Sequence, residues 1–301
     1  MSSWNPVELE ICGLSKTYPN GVRAHAGISL SIGKGLFGLL GPNGAGKSSL
    51  MRTLATLQRP DSGTVRFGAI DALTRPDLLR RVLGYLPQEF GLYPNLSAEA
   101  TLTHFATMKG VIEPVARRQL VGYLLQQTNL YQVRKKSVGG FSGGMNQRLG
   151  IAIALAGSPE LLIVDEPTNG LDPTERHRFL NLLAEIGEGI VVILSTHIVE
   201  DVRELCRSMA IINRGQVVLA GDPRMIVRGL EGRIWRKAVA PRELPAVQAA
   251  HRVVSSQLLA GIPVVRVYSE GPPGEGFTAA EPDLQDGYFH HLSLVARAEA
   301  V

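Results

Sequence analysis

The stretch Leu36-Phe37-Gly38-Leu39-Leu40-Gly41-Pro42-Asn43-Gly44-Ala45-Gly46-Lys47-Ser48-Ser49 decides how the rest of the chain is read. Residues 36–40 have the length and apolar content of a short buried strand. A glycine-rich turn breaks that strand. Leu50, Leu54 and Leu57 then recur at helical spacing and predict a helix over 47–57. The turn, Gly41 to Ser48, fits the pattern G-x-x-x-x-G-K-[ST]. Glycines there let successive backbone N–H groups point inward without Cβ clashes. Together with the helix N-terminus they form a nest for the β- and γ-phosphates of a nucleotide. Lys47 adds a point charge on phosphate oxygens, and the Ser48 hydroxyl is placed to ligate Mg²⁺. Gly41, Pro42, Asn43, Gly44, Ala45, Gly46, Lys47, Ser48 and Ser49 are therefore the expected nucleotide-binding residues.

A second element lies downstream. In Leu161-Leu162-Ile163-Val164-Asp165-Glu166 an apolar strand ends in two carboxylates. A lone acidic pair at a strand end is usually a solvated terminus. Paired with a phosphate loop it takes on a chemistry: Asp165 holds Mg²⁺, and Glu166 orients and polarises an attacking water.

Between these two elements lies Phe141-Ser142-Gly143-Gly144-Met145-Asn146-Gln147-Arg148. Ser142 is a good helix N-cap, and the two glycines expose N–H groups where the helix dipole favours an anion. This segment resembles the LSGGQ signature of ATP-binding cassette (ABC) proteins, with Phe141 and Met145 departing from the common Leu and Gln. Further elements follow in that family's order. Tyr18 resembles the aromatic that stacks on adenine. Gln88, in Leu86-Pro87-Gln88-Glu89, resembles the glutamine that touches Mg²⁺ and the attacking water. Asp172, in Asn169-Gly170-Leu171-Asp172, resembles the residue that crosses to a partner subunit. His197, after Ser195-Thr196, resembles the histidine on the γ-phosphate.

The resemblance covers residues 7–221 and implies a P-loop NTPase core of the α/β class. That core would have a mixed sheet, an antiparallel β subdomain and an inserted helical subdomain. It implies an ATPase using ATP and Mg²⁺, with Glu166, His197 and Gln88 catalytic and Ser48, Gln88 and Asp165 on the metal. It also implies that Ser142, Gly143 and Gly144 face the nucleotide of a second copy, so that two subunits pair head-to-tail about a two-fold axis. The expected partner beyond that homodimer is an integral membrane permease, with the chain peripheral on the cytoplasmic face of the membrane. Its coupling helix would dock on Glu89-Phe90-Gly91-Leu92-Tyr93-Pro94, whose apolar residues look exposed; packing of Phe90 and Leu92 under the helical subdomain is the alternative. The run Glu166-Pro167-Thr168-Asn169-Gly170-Leu171-Asp172-Pro173 and the tail around Asp283–Leu292 are similar to the ABC-2 exporter group. A soluble ABC ATPase acting on ribosomes or nucleic acid is the competing class. A single cassette without a zinc insertion or long heptads speaks against it, and no nucleic-acid partner is expected.

Bulk properties agree. The chain has 301 residues, 45% of them hydrophobic, and a formal net charge of +4. That is ample material for a core, and too weak a positive charge to argue for nucleic acid. Two widely separated cysteines, Cys12 and Cys206, suit a reduced compartment. No apolar run approaches the roughly 18–20 residues of a spanning helix, and residues 1–6 have no leader character. Strands are expected at 7–11, 28–32, 64–67, 83–87, 190–195, 209–212 and 216–220, with a hairpin turn at Asn213-Arg214-Gly215. Residues 97–158 form the helical subdomain. Domain limits of 1–221 and 222–301 are expected, the second a small α+β accessory domain ending in a helix from near Asp283. His290-His291 is expected on the surface of that helix.

Overall fold

The computed structural model describes residues 7–298. Residues 1–6, where no leader was expected, lie outside the described residues. The first part of the chain runs β1 (Val7–Thr17), β2 (Arg23–Gly33), β3 (Gly35–Leu40), α1 (Lys47–Leu54), β4 (Ser62–Phe67), β5 (Ile70–Asp71), α2 (Pro76–Val82) and β6 (Leu83–Leu86). The helices α3 (Ala98–Met108), α4 (Pro114–Gln127) and α5 (Gly143–Leu155) follow. The chain then returns through β7 (Leu161–Asp165), α6 (Pro173–Ile186), β8 (Val191–Thr196), α7 (Val199–Leu205), β9 (Ser208–Asn213) and β10 (Gln216–Gly221). The last stretch is α8 (Pro223–Arg228), β11 (Ile234–Ala238), α9 (Leu244–Ala250), β12 (Val253–Leu259), β13 (Ile262–Tyr268), β14 (Thr278–Ala279) and α10 (Leu284–Ala298).

The central sheet has the order β10-β9-β3-β8-β7-β6. Its strands are parallel except for β10, which pairs antiparallel with β9. β7 and β8 are buried along their whole length, as parallel strands covered on both faces must be. A second sheet, β2-β1-β4-β5, is antiparallel. It closes over α1, and Leu9, Ile28, Val65, Leu50 and Met51 share one core cluster. The helical subdomain has its own core, with Leu102, Val121, Leu125 and Leu149 at its centre.

Several expected boundaries move, each for a local reason. α1 ends at Leu54 rather than Leu57, because Thr56 takes a left-handed backbone (φ +59°). The Arg80 guanidinium donates to the Thr56 hydroxyl and carbonyl, at 2.7 and 3.0 Å, which holds that turn. β1 and β2 run far past their expected ends. Register shifts between Ile11 and Ser15 absorb the polar Cys12-Gly13 step, so the ladder resumes instead of stopping. Phe90 and Leu92 are half-buried and pack inward rather than standing free; the Phe90 ring lies where a Cβ on Gly150 would be, 2.5 Å away. In that loop Tyr93 is the exposed aromatic.

The C-terminal sheet has the order β12-β13-β11-β14. α9 packs on one face through Leu244 and Val247. α10 uses Phe289 against Leu230, Ile234 and Val254. It also sends Leu284 and Tyr288 into the cluster that holds Val202 and Met209 of the central core. His290 is not a surface residue. It is 8% exposed and stacks on Tyr268 with ring centroids 4.3 Å apart, because α10 turns that face to the sheet. Among the described residues no helix is long and apolar enough to cross a membrane.

Candidate nucleotide-binding and catalytic site

The turn between β3 and α1 opens into a cleft of about 550 Å³ whose walls include Tyr18, Asn43, Lys47, Ser48, Gln88 and Glu166. Two glycines that leave no room for a Cβ seat the loop. Gly46 has φ +105°, and a Cβ there would sit 2.4 Å from the Ala24 carbonyl oxygen of β2. A Cβ on Gly41 would sit 2.3 Å from the Ile212 carbonyl oxygen of β9. The loop is thus clamped between two sheets, and the clamp continues behind it. Gly215, in the β9–β10 turn, donates its N–H to the Ala45 carbonyl at 2.9 Å and accepts from Ala26 at 2.8 Å. His25, fully buried, lies 3.3 Å from the Gly46 carbonyl through Nε2. Burial pushes its pKa down, partly offset by that contact.

Lys47 is 4% exposed, and a buried ammonium needs partners. It donates to the Gly41 carbonyl at 2.7 Å and to that of Pro42 at 3.2 Å, and it lies 3.4 Å from Glu166 Oε1. Its charge is held at the cleft wall between the loop carbonyls and Glu166.

Glu166 follows β7 with φ +47°, a backbone well that costs a non-glycine residue on the order of 1 kcal/mol or more. The Glu166 N–H donates to the Ser195 carbonyl of β8 at 2.9 Å, which fixes that turn. Its carboxylate, 7% exposed, meets three loops at once. Oε1 faces Lys47, while Oε2 lies 3.3 Å from His197 Nδ1 and 3.5 Å from Gln88 Nε2. One residue earlier, Asp165 is 2% exposed and its Oδ1 has no hydrogen-bond partner. Burial pushes the Asp165 carboxyl up, with the nearby Ser195 and Ser48 hydroxyls and the Lys47 charge opposing. A buried acceptor left open beside a serine hydroxyl has the chemistry of a divalent-cation ligand pair. Among the described residues no group of three or more His, Cys, Asp or Glu is placed to hold a metal, so phosphate and water oxygens would have to complete such a site.

Tyr18 reaches the cleft from the end of β1. Its hydroxyl contacts the Ser49 hydroxyl at 3.0 Å and donates to Gln58 Oε1 at 2.9 Å. Gln58 also donates to the Ser49 carbonyl at 2.8 Å and was not anticipated from the sequence. It sits in the turn after α1, where nothing in its spacing marks it. Asn169 also lines the cleft; it lay inside the recognised Asn169–Asp172 run but was not singled out.

Gly41, Pro42 and Ala45 stand behind the cleft wall, whereas Gly44, Gly46, Ser48 and Ser49 line it. Ser142, Gly143, Gly144 and Asp172 do not line it. Ser142 caps α5, its Oγ accepting from the Met145 N–H at 3.2 Å, and both Ser142 and Gly143 are exposed. Gly144 is buried against Glu175, whose Oε2 would lie 2.7 Å from an added Cβ. Asp172 caps α6 by accepting from the Glu175 N–H at 2.9 Å.

Known proteins bear on this geometry. The family model for the ABC transporter matches residues 26–169. The chain is 37% identical over 232 residues to the "Probable multidrug ABC transporter ATP-binding protein YbhF" of Escherichia coli (strain K12), covering 76% of this chain and 40% of that one. It is 34% identical over 252 residues to the "Daunorubicin/doxorubicin resistance ATP-binding protein DrrA" of Streptomyces peucetius, covering 83% and 75%. It is also 38% identical over 245 residues to the "Methionine import ATP-binding protein MetN" of Bordetella pertussis, covering 77% and 67%. The fold superposes with TM-score 0.65 and 26% identity on the dimeric post-hydrolysis structure of the ATP-binding cassette MJ0796 bound to ADP and Pi, covering 71% of this chain and 98% of that one. The chain thus spans less than half the length of YbhF and three quarters of DrrA. With the phosphate loop, the paired carboxylates and the capped Ser-Gly-Gly helix arranged on this fold, the chain belongs to the ABC transporter family as an ATP-binding cassette.

Proposed function

We propose that the chain binds and hydrolyses ATP as the motor subunit of an ABC transporter, paired with a second copy and driving a separate membrane permease from the cytoplasmic face. One observation carries the hydrolytic part: the buried Glu166 carboxylate stands where the Lys47, Gln88 and His197 side chains converge. In this reading the loop N–H groups and the start of α1 take the β- and γ-phosphates. Lys47, already aimed by two carbonyls, gives its charge to them. The Tyr18 ring offers a face for adenine, steadied through its hydroxyl. Glu166 orients the attacking water and accepts its proton, and Gln88 helps to place that water. His197, 40% exposed at its side chain, is free to turn toward the γ-phosphate. Ser48 and Asp165, with Gln88, would hold Mg²⁺, which when bound neutralises phosphate charge.

Ser142 and Gly143 are exposed at the N-terminus of a 13-residue helix and lie outside the cleft of their own chain. That placement supports their use on the nucleotide of a second copy, as does the dimeric state of MJ0796. The two-part division at residue 221 and export as the direction of transport belong to the same reading, the latter supported by the names of YbhF and DrrA. Likeness to a methionine import protein favours uptake as the second reading. The test is direct. The purified chain is assayed for Mg²⁺-dependent ATP hydrolysis, and its tagged form is used to isolate membrane partners. Absence of hydrolysis by the chain, alone or with an isolated permease, sinks the proposal.

A further inference from the structure

We infer that Asp201 is a positioning residue for ATP hydrolysis, one carboxylate that fastens the segment after Glu166 to the segment carrying His197. Asp201 lies in the first turn of α7 and is fully buried. Three side chains donate to it. Thr168, two residues past Glu166, donates its hydroxyl to Oδ2 at 2.8 Å. Thr196, immediately before His197, donates to the same oxygen at 3.3 Å. Arg176, in the first turn of α6, donates Nε to Oδ1 at 2.8 Å with Nη2 2.6 Å away.

These donors come from different pieces of the catalytic cleft. Thr168 begins the turn that carries Asn169 into the cleft wall and ends at Asp172, the cap of α6. Thr196 also accepts from the Ile198 N–H at 3.0 Å, so its hydroxyl spans His197 from both sides. The Glu166 N–H already ties these two segments once, through the Ser195 carbonyl. Asp201 ties them a second time from below. The turn after β7 and the turn after β8 are therefore joined at two levels and must shift together.

A buried carboxylate with one charged and two neutral donors is satisfied, which explains why it can sit there. It does not explain the choice of residue, because a buried ion pair stabilises a fold weakly compared with apolar residues of the same volume. What such a group supplies is fixed geometry. The Glu166–His197 separation of 3.3 Å depends on two loops holding register, and a misplacement near 1 Å costs on the order of a hundredfold in rate. This inference rests on the roles proposed above for Glu166 and His197.

The experiment measures kcat, KM, ATP affinity and melting temperature for Asp201→Asn and Thr168→Val, with Glu166→Gln, His197→Ala and Asp286→Asn alongside. Asp286 is a comparably buried carboxylate paired with Arg266, remote from the cleft. Asp201→Asn is expected to lower kcat on the order of tens of fold, with KM and ATP affinity within about twofold of the parent. Thr168→Val removes one donor and leaves Arg176 in place, so it stays folded and lowers kcat by a smaller factor. Asp286→Asn lowers the melting temperature and leaves kcat unchanged. The double variant Asp201→Asn/Arg176→Gln removes the charge left unpaired, and is expected to regain melting temperature without regaining kcat. Full kcat in both Asp201→Asn and Thr168→Val overturns the inference. So does recovery of kcat together with stability in the double variant. If Glu166→Gln and His197→Ala keep full turnover, the site assignment itself has failed. If they lose it while the Asp201 and Thr168 variants do not, only the present inference falls.

Discussion

Glu166 and Asp286 are both carboxylates removed from water, at 7% and 1% exposure, and they are held in opposite ways. Asp286 is saturated by short contacts. Arg266 donates Nε to Oδ1 at 2.8 Å and Nη2 to Oδ2 at 2.5 Å, and the Asp283 N–H donates to Oδ2 at 3.0 Å. Glu166 sits on a left-handed backbone, and its contacts to Lys47, His197 and Gln88 are long, at 3.4, 3.3 and 3.5 Å. The neighbouring Asp165 leaves one oxygen without a partner. A buried charge whose two oxygens are both held by short contacts can only hold structure together. One with loosely committed partners, next to an open acceptor, can exchange them for phosphate, cation and water. The C-terminal sheet is built the first way and the cleft the second.

Four outcomes would break or sharpen that contrast. Asp286→Ala leaves the partly exposed Arg266 with only the Glu281 carbonyl as acceptor among the described residues, and is expected to cost about 3 kcal/mol of stability in urea unfolding. Turnover per folded molecule should be unchanged; a fall in kcat would give Asp286 a share in the reaction. Glu166→Gln keeps the shape of the side chain and removes its basicity. Turnover should drop on the order of a hundredfold or more while ATP binding persists, and near-normal hydrolysis would return Glu166 to a purely structural role. Lys47→Ala deletes the charge-assisted bonds to phosphate proposed for this residue, so calorimetric ATP affinity should fall roughly tenfold or more. An unchanged affinity would leave the backbone nest as the whole of the phosphate site.

The smallest effect is one of pH. Burial first, then the charges of Arg252, His291 and Arg233, push the His290 pKa down to about 4. The unfolded chain therefore binds a proton at His290 in a window where the folded chain does not. Stability contributed by neutral His290 is full above the ordinary histidine range, near pH 6.5, and is lost as pH falls toward 4. Thermal melting followed from pH 7 to pH 4 should show a shallower decline in His290→Gln than in the parent. Identical slopes would remove His290 from the acid response.

Much of the cleft was legible before any coordinates, because its chemistry is written in local runs. Gly41 to Ser48 and Leu161 to Glu166 in the cleft, and the capped Ser142 helix outside it, each combine an element boundary with a functional group, and a boundary is a short-range property. Gln58 and Asp201 were not legible. Each acts through partners supplied by segments far along the chain, with no spacing to announce them. Phe90, Leu92 and His290 misled for the same reason: a side chain's exposure is decided by what packs on it, such as Gly150 of α5 or Tyr268 of β13. The end of α1 depended on Arg80 reaching back to Thr56, another contact that apolar periodicity does not carry.

Sequence alone determined that a phosphate-binding turn joins a buried strand to a helix, that an acidic pair ends another strand, and that a serine-capped glycine pair opens a third element. Those are consequences of steric freedom, apolar periodicity and capping within a few residues. Only the tertiary structure decided that β7 and β8 lie side by side, so that Glu166 and His197 come within 3.3 Å. It also decided that Ser142 and Gly143 lie outside the cleft of their own chain, and that α10 closes onto both the C-terminal sheet and the central core. Strand order and helix docking are set by burying apolar faces contributed from all along the chain, and no local stretch contains that sum.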